Sequence, residues 1–271
     1  MMPNPDYFAL AHLGDVVMQY IILLTVCSTR LLVVMIVFPP TGDSVMQGVV
    51  RNGVALLWSS FIAYGQQALM PELHGVFLIG TLVKEAVIGL MIGYAAATLF
   101  WSIESVGTYI DDLTGYNHVQ LTNPTNGQQT SMTSTLLLQC VTAAFWLLGG
   151  MTSLLGAVYE SYHWWPLAST APMPAQMLED FVLRETDTMM QMVGKLAAPV
   201  MMILLLVDIG FAVVGKAAQK LDIDSLAHPV KGALTVMMLA FLIGVVIDQV
   251  HSQIALTGIK SELQSWLVAK P

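Results

Sequence analysis

From Val76 to Ile103 the chain runs through many helical turns with Lys84 and Glu85 as its only charged residues. A stretch that long and that apolar reads as a membrane helix, and five further segments are of the same kind. Helices are predicted at about 16–38, 52–70, 76–103, 134–158, 188–215 and 229–250. Charged residues make up only 10% of the 271 positions and hydrophobic ones 56%, against roughly 25% charged in an ordinary soluble domain. Such a composition cannot furnish the charged surface that a soluble protein of this length needs. The expectation is an all-α, polytopic integral membrane protein with about six long apolar helices, residues 1–271 forming a single membrane domain. The net charge of −8 counts against nucleic acid, whose phosphates call for clustered Lys and Arg.

Proline punctuates these segments. Pro39-Pro40 stops the first and Pro71 the second, Pro199 kinks the fifth, and Pro229 suits the first turn of the sixth. Residues 107–133 and 159–187 are predicted as long loops, and long loops are usually functional or disordered. The positive-inside rule favours an outward N-terminus and a cytoplasmic loop at 216–231 carrying Lys216, Lys220 and Lys231. The first fifteen residues contain Asp6 and Asp15 but no Lys or Arg, so no cleavable signal is expected. Cys27 and Cys140 lie in apolar stretches and read as small buried hydrophobes rather than a disulfide.

Ionisable groups in such helices must face protein or water, because a charge facing lipid costs roughly 3 kcal/mol or more. Arg30 therefore either snorkels or pairs with a carboxylate on another helix, with Asp208 and Glu85 as candidates. Asp208, deep in the fifth segment, needs a partner or a proton. Lys84 and Glu85 are adjacent, so on a helix they need different partners or a wet cavity. Glu85, Gly89, Gly93 and Ala97 form an i, i+4 stripe that lets another helix approach closely; another helix of an assembly is the expected neighbour. Glu104 and Asp111 would share a face two turns apart if the helix continued, but no substrate pocket is defined for acid–base work. The histidines, among them His118, His163, His228 and His251, show no metal spacing, and there is no HExxH, CxxC or P-loop. No catalytic residue, metal ligand or cofactor site is assigned. The 18 methionines read as soft core packing, or as a compliant seal around a moving chain.

Several runs together resemble the T subunit family of type III secretion export gates, called SctT, YscT or SpaR in injectisomes and FliR in flagella. The resemblance extends from Arg30 to Lys231. It rests on Arg30 before Pro39 and Arg51 after it, and on "KEAVIGLMIG" at 84–93 continuing into "FWSIESVGTYIDDLTG" at 100–115. "SYHWWP" at 161–166, "AAP" at 197–199 and "HPVK" at 228–231 complete it. The stretch "KAAQKLDIDSLAHPVK" departs from the family pattern, with Lys216 for an Arg, Gln219 for a Pro, and Asp222, Ile223 and Asp224 for an Asn-Val-Phe run. The "SYHWWP" and "IDD" segments look closer to the injectisome branch.

The resemblance implies a non-enzymatic subunit of an export gate at the bacterial inner membrane, within the secretion system basal body. It implies sister R and S subunits, a U subunit and the V-ring subunit as partners, with membrane lipid around and unfolded secreted polypeptides passing through. It also implies that the polar loop is a pore plug, here with Asp111, Asp112, Gly115, Asn117, Thr122, Asn123, Asn126, Gly127 and Gln128. From composition alone, a flexible solvated loop is the alternative. Two rivals remain: a stand-alone secondary transporter with a Pro-kinked helix and buried Asp208, and an intramembrane enzyme using Glu104, Asp111 and Asp112.

Overall fold

The computed structural model describes residues 5–115, 121–122, 129–169, 175–217 and 224–254. Its α-helices are α1 (Pro5–Val37), α2 (Gly48–Gly65), α3 (Gly75–Thr114), α4 (Met132–Leu147), α5 (Gly150–Trp164), α6 (Ala175–Ala217) and α7 (Asp224–Ile254). Short 3-10 turns lie at Pro39–Thr41 and Gln67–Glu72. The fold is all-α apart from a minimal antiparallel ladder of β1 (Leu121–Thr122) and β2 (Gln129–Thr130), which pairs Leu121 with Thr130 and Thr122 with Gln129.

Local chemistry explains the helix ends. Pro39 forces Phe38 into an extended conformation, with φ −81° and ψ 115°, so α1 cannot continue. The Thr41 hydroxyl then turns back onto the carbonyls of Met35 at 2.7 Å and Phe38 at 3.0 Å, close to the C-terminal carbonyls that a helix leaves unpaired. α4 starts at Ser131, whose Oγ accepts the Ser134 N–H at 3.2 Å as an N-cap.

The helix lengths differ from those expected. α3 runs past residue 103 to Thr114, because Glu104, Ser105, Thr108 and Asp111 are polar without breaking a helix. The loop expected at 107–133 therefore begins only at Gly115, whose φ of +78° ends α3. The loop expected at 159–187 is equally shortened: α5 reaches Trp164, and α6 opens with a charged segment, Glu179 to Asp187, ahead of its apolar part. The single helix expected at 134–158 is broken at Gly149, which takes φ +76°. Pro71 sits in a 3-10 turn after α2 has already ended, and Pro229 lies beyond the first turn of α7.

Among the described residues four helical stretches are long and apolar enough to cross a membrane: His12–Val37, Gly75–Thr114, Gln176–Ala217 and Pro229–Gln249. The bent pair α4 and α5 makes a fifth if counted as one span. α2, with Arg51, Asn52, Ser59 and Ser60, is not among them. At 40 and 43 residues, α3 and α6 measure roughly 60 and 65 Å, about twice the hydrocarbon thickness.

The chain divides into two compact units. The first comprises Met1–Ala97 with Leu154–Ala175, the second Thr98–Ser153 with Gln176–Pro271. In the first, α1 and α2 lie along one another, with Ala55, Ser59 and Ala63 of α2 fully buried at four-residue spacing. Leu23, Val26 and Cys27 of α1 join Ala63, Leu73 and Leu167 in its core. In the second, Val106 and Ile110 of α3 pack with Val193, Ala197, Val200 and Leu204 of α6 and Leu242 of α7, while α4 lies on α7. Cys27 and Cys140 are both free thiols.

The glycine stripe of α3 has its neighbour inside the chain. A Cβ on Gly89 would stand 2.5 Å from the Arg30 carbonyl, and one on Gly93 would stand 3.2 Å from Val34 Cα. The helix it admits is α1 of the same molecule rather than a helix of another subunit. Gly93→Leu is thus expected to destabilise the isolated subunit by about 1–3 kcal/mol through overpacking. Heating the detergent-solubilised chain alone should expose the loss; unchanged melting would contradict the close approach.

Candidate functional site

In the first unit, three distant segments converge on Arg30. Arg30 of α1 and Glu85 of α3 are both fully buried. The guanidinium donates from Nε to Glu85 Oε2 at 2.7 Å and from Nη2 to Oε1 at 3.0 Å, a bidentate fork. Its Nη1 donates to Ser161 Oγ at 2.7 Å and its Nη2 also to the Trp165 carbonyl at 3.0 Å. The Tyr162 ring covers the guanidinium, with Cζ 3.7 Å from the ring centroid, and its hydroxyl donates to the Cys27 carbonyl at 3.0 Å. Arg30 therefore does not snorkel; its charge is met on every side by carboxylate, hydroxyl, carbonyl and π-face.

Lys84 takes a different partner set, as adjacency on a helix requires. Its ammonium donates to the carbonyls of Pro166 at 2.8 Å, Leu167 at 2.9 Å and Ser169 at 3.1 Å, and stands 3.5 Å from Glu85 Oε1. These carbonyls follow the C-terminal end of α5, where a helix favours positive charge. The helix ends at Trp164, just before Pro166, so these carbonyls are not consumed by a continuing helix, although that of Pro166 also accepts the Ser169 N–H at 3.1 Å. The "KE" and "SYHWWP" runs are thus two halves of one polar joint. Their sequence separation conceals this, although two cations in apolar helices do signal that acceptors must be found elsewhere.

The second unit has two charged joints at the stems of the segment between Gly115 and Ser131. Asp111, expected in a loop, lies on α3 and is buried. Its Oδ2 accepts from Ser131 Oγ at 2.5 Å and from the Thr133 N–H at 2.9 Å, and its Oδ1 accepts from the Thr133 hydroxyl. The carboxylate thereby caps the N-terminus of α4, where a negative charge is favoured. Gly107 makes the approach possible, since a Cβ there would stand 2.6 Å from the Ser134 nitrogen. With both Asp111 oxygens committed, the acid–base pairing of Glu104 with Asp111 does not form. Glu104 is half-buried, and its carboxylate has no hydrogen-bond partner among the described residues.

Asp208 of α6 pairs with Lys231 of α7, which also donates to the Leu113 carbonyl at 3.4 Å. Arg30 and Asp208 are therefore not partners. Lys231 lies on a helix rather than in a loop, and Lys216 is exposed on the last turn of α6. Asp112 is exposed on α3, and Thr122 belongs to β1. Asn117, Asn123, Asn126, Gly127, Gln128 and Lys220 lie outside the described residues.

Removing one member of a buried pair leaves the other uncompensated, at a cost of about 3–5 kcal/mol. Arg30→Leu and Glu85→Leu should each lower the amount of folded, protease-resistant subunit in membranes, and the double variant should recover part of the loss. Equal damage from the double and single variants would show that the carboxylate is not what Arg30 depends on.

The profile of the family "Bacterial export proteins, family 1" matches residues 21–257. The chain is 30% identical to the Yop proteins translocation protein T of Yersinia pestis over 230 residues, which is 84% of this chain and 88% of that protein. It is 28% identical to the secretion system apparatus protein SsaT of Salmonella typhimurium over 226 residues, covering 82% and 86% of the two chains. With the flagellar biosynthetic protein FliR of Bacillus subtilis it shares 22% over 175 residues, 64% of this chain and 68% of that protein.

Proposed function

The chain belongs to the bacterial export proteins of family 1, and from that premise we propose that it is a structural, pore-forming subunit of a type III protein-export gate. In this reading it is a multi-pass protein of the bacterial inner membrane that passes unfolded polypeptides and catalyses no reaction. It assembles with the sister R and S subunits, with the U and V-ring subunits on the cytoplasmic side. The observation that carries the reading is the match over residues 21–257, together with secretion and flagellar relatives aligned along most of the chain.

The physical character of the chain agrees with such a role. Met202, Leu205, Leu206 and Ile209 on α6 and Val236, Met237 and Phe241 on α7 are exposed apolar side chains, and a protein surface of that kind calls for lipid or other subunits. Helices twice as long as the hydrocarbon is thick need cover beyond it, which sister subunits supply. The buried, unpaired Asp208 that motivated the transporter alternative is not found: its side chain is 45% exposed and pairs with Lys231 within the chain.

Co-expression with the R and S subunits should yield a stable complex from detergent extracts. Recovery of this chain as a lone, monodisperse species from cells that also contain R and S would overturn the assignment.

Within the gate, the segment between Gly115 and Ser131 is the closing element. The stretch 113–133 that contains it has no Lys or Arg, so no permanently charged cation anchors it in the pore by a salt bridge. Deleting 117–128 should leave the gate assembled but raise the ion conductance of membranes that carry it without substrate. An assembled deletion variant conducting as the wild type would leave the segment a solvated connection.

A further inference from the structure

α6 buries one edge in the second unit and leaves the opposite edge bare. Val193, Ala197, Val200 and Leu204 form its seam with α3 and α7. Lys195 lies between Val193 and Ala197, two residues from each, and so stands on the other side of the helix. It is exposed there together with Gly194, Ala198, Pro199 and Met202. A cation near the middle of a long apolar helix is costly if it faces lipid. Arg30, Lys84 and Lys231 meet that cost with partners inside the chain. Lys195 has no hydrogen bond or ion pair among the described residues. One turn earlier, the Gln191 amide donates to Asp187 at 2.9 Å, so those two exposed groups occupy each other and leave the lysine out.

Two further properties of this turn say what covers it. Pro199 has no N–H, so the carbonyl of Lys195, four residues before it, lacks its ordinary helical donor. The turn thus presents an ammonium that needs an acceptor and a carbonyl that needs a donor, and acyl chains supply neither. Gly194 and Ala198 leave little side chain beside the lysine, and a Cβ added at Gly194 would meet nothing within 4 Å. Gly89, Gly93 and Gly107 each admit a close neighbour within the chain, whereas Gly194 admits none. A small pair at this spacing is the surface through which membrane helices approach closely. Leu205, Leu206 and Ile209 continue the same exposed face.

We propose that the turn from Gly194 to Pro199 is a docking surface for a helix of a neighbouring export-gate subunit. That helix lays a carboxylate against the Lys195 ammonium and its backbone over Gly194 and Ala198. The proposal rests on the reading of this chain as a gate subunit. A lipid phosphate is the other anion a membrane protein meets, but it would leave Gly194 and Ala198 uncovered. The ion pair also sets the height at which the neighbour runs along α6, because apolar contacts alone would let two such helices slide.

The test is recovery of the complex with co-expressed R and S subunits, beside melting of the full chain alone in detergent. Gly194→Leu should melt no lower than wild type, since its side chain enters open space, yet should cut recovery of the complex several-fold. Lys195→Met should cut recovery likewise, and Lys195→Arg, which keeps the cation, should retain most of it. A carbodiimide, which condenses an amine with a touching carboxylate, should join Lys195 of the assembled wild type to another subunit. Should Gly194→Leu lower the melting of the lone chain, Lys195→Met decides. Wild-type recovery with Lys195→Met would overturn the docking surface and leave the gate reading standing. A wild-type chain that never joins R and S would overturn both. If Lys195→Met keeps full recovery and only removes a melting difference between phosphatidylglycerol and phosphatidylcholine vesicles, a lipid phosphate meets the lysine and the proposal falls.

Discussion

A guanidinium fully withdrawn from water must be met donor by donor, and the first unit is arranged around meeting the one on Arg30. Glu85 takes the bidentate fork, Ser161 and the Trp165 carbonyl take further donors, and Tyr162 covers the face. That set is reached only if α1 and α3 come close, and Gly89, one turn beyond Glu85, lies against the Arg30 carbonyl itself. The same contact that needs a glycine brings the carboxylate into range. Lys84 then fixes the turn after α5 through three carbonyls, so the segment carrying Ser161 and Trp165 is secured from both cations. Losing Arg30 would leave Glu85 with only the more distant Lys84 ammonium at 3.5 Å and would loosen this whole joint.

The second unit solves the same problem with helix ends. Among the described residues no cation hydrogen-bonds to Asp111; two hydroxyls and a backbone N–H at the start of α4 hold it. Lys231 is held by Asp208 and by a carbonyl in the last turn of α3. Charges at helix termini are favoured by the partial charges already present there.

Much of the fold was legible because apolarity is a local property. The Pro39-Pro40 stop, the membrane class and the identity of the major helices all follow from runs of side chains. Helix ends were less legible because the hydrophobic signal stops before the backbone does: α3 continues through Glu104, Ser105, Thr108 and Asp111, and α6 begins in the charged residues 179–187. The break at Gly149 was concealed by Leu147-Leu148 and Met151 around it, although a Gly-Gly pair is itself a breaker signal. Site residues were recognised as anomalous charges, and Glu85 was one of the two partners expected for Arg30, but most of the other partners were not, because they are hydroxyls and carbonyls. Ser161, Trp165, Ser131 and Thr133 carry no charge to announce themselves, and pairings such as Arg30 with Ser161 span nearly half of the chain.

The distribution of satisfied and unsatisfied surface bears on how such a chain assembles. Arg30, Lys84, Glu85, Asp111, Asp208 and Lys231 all find their partners within the molecule. These six groups therefore need no counter-charge from another subunit when the chain enters an apolar environment. Its exposed apolar faces on α6 and α7 are in the opposite condition, since lipid covers them as well as a protein does. Association through those faces gains no hydrophobic driving force from the bilayer and must rest on close packing and on groups that lipid serves badly. Glu104 is such a group: half-buried, without a hydrogen-bond partner among the described residues, and on the same helix as the Asp111 joint. Internal charge pairing thus makes the subunit able to fold first, and the polar positions left over, rather than the apolar area, are what can make its later partners specific.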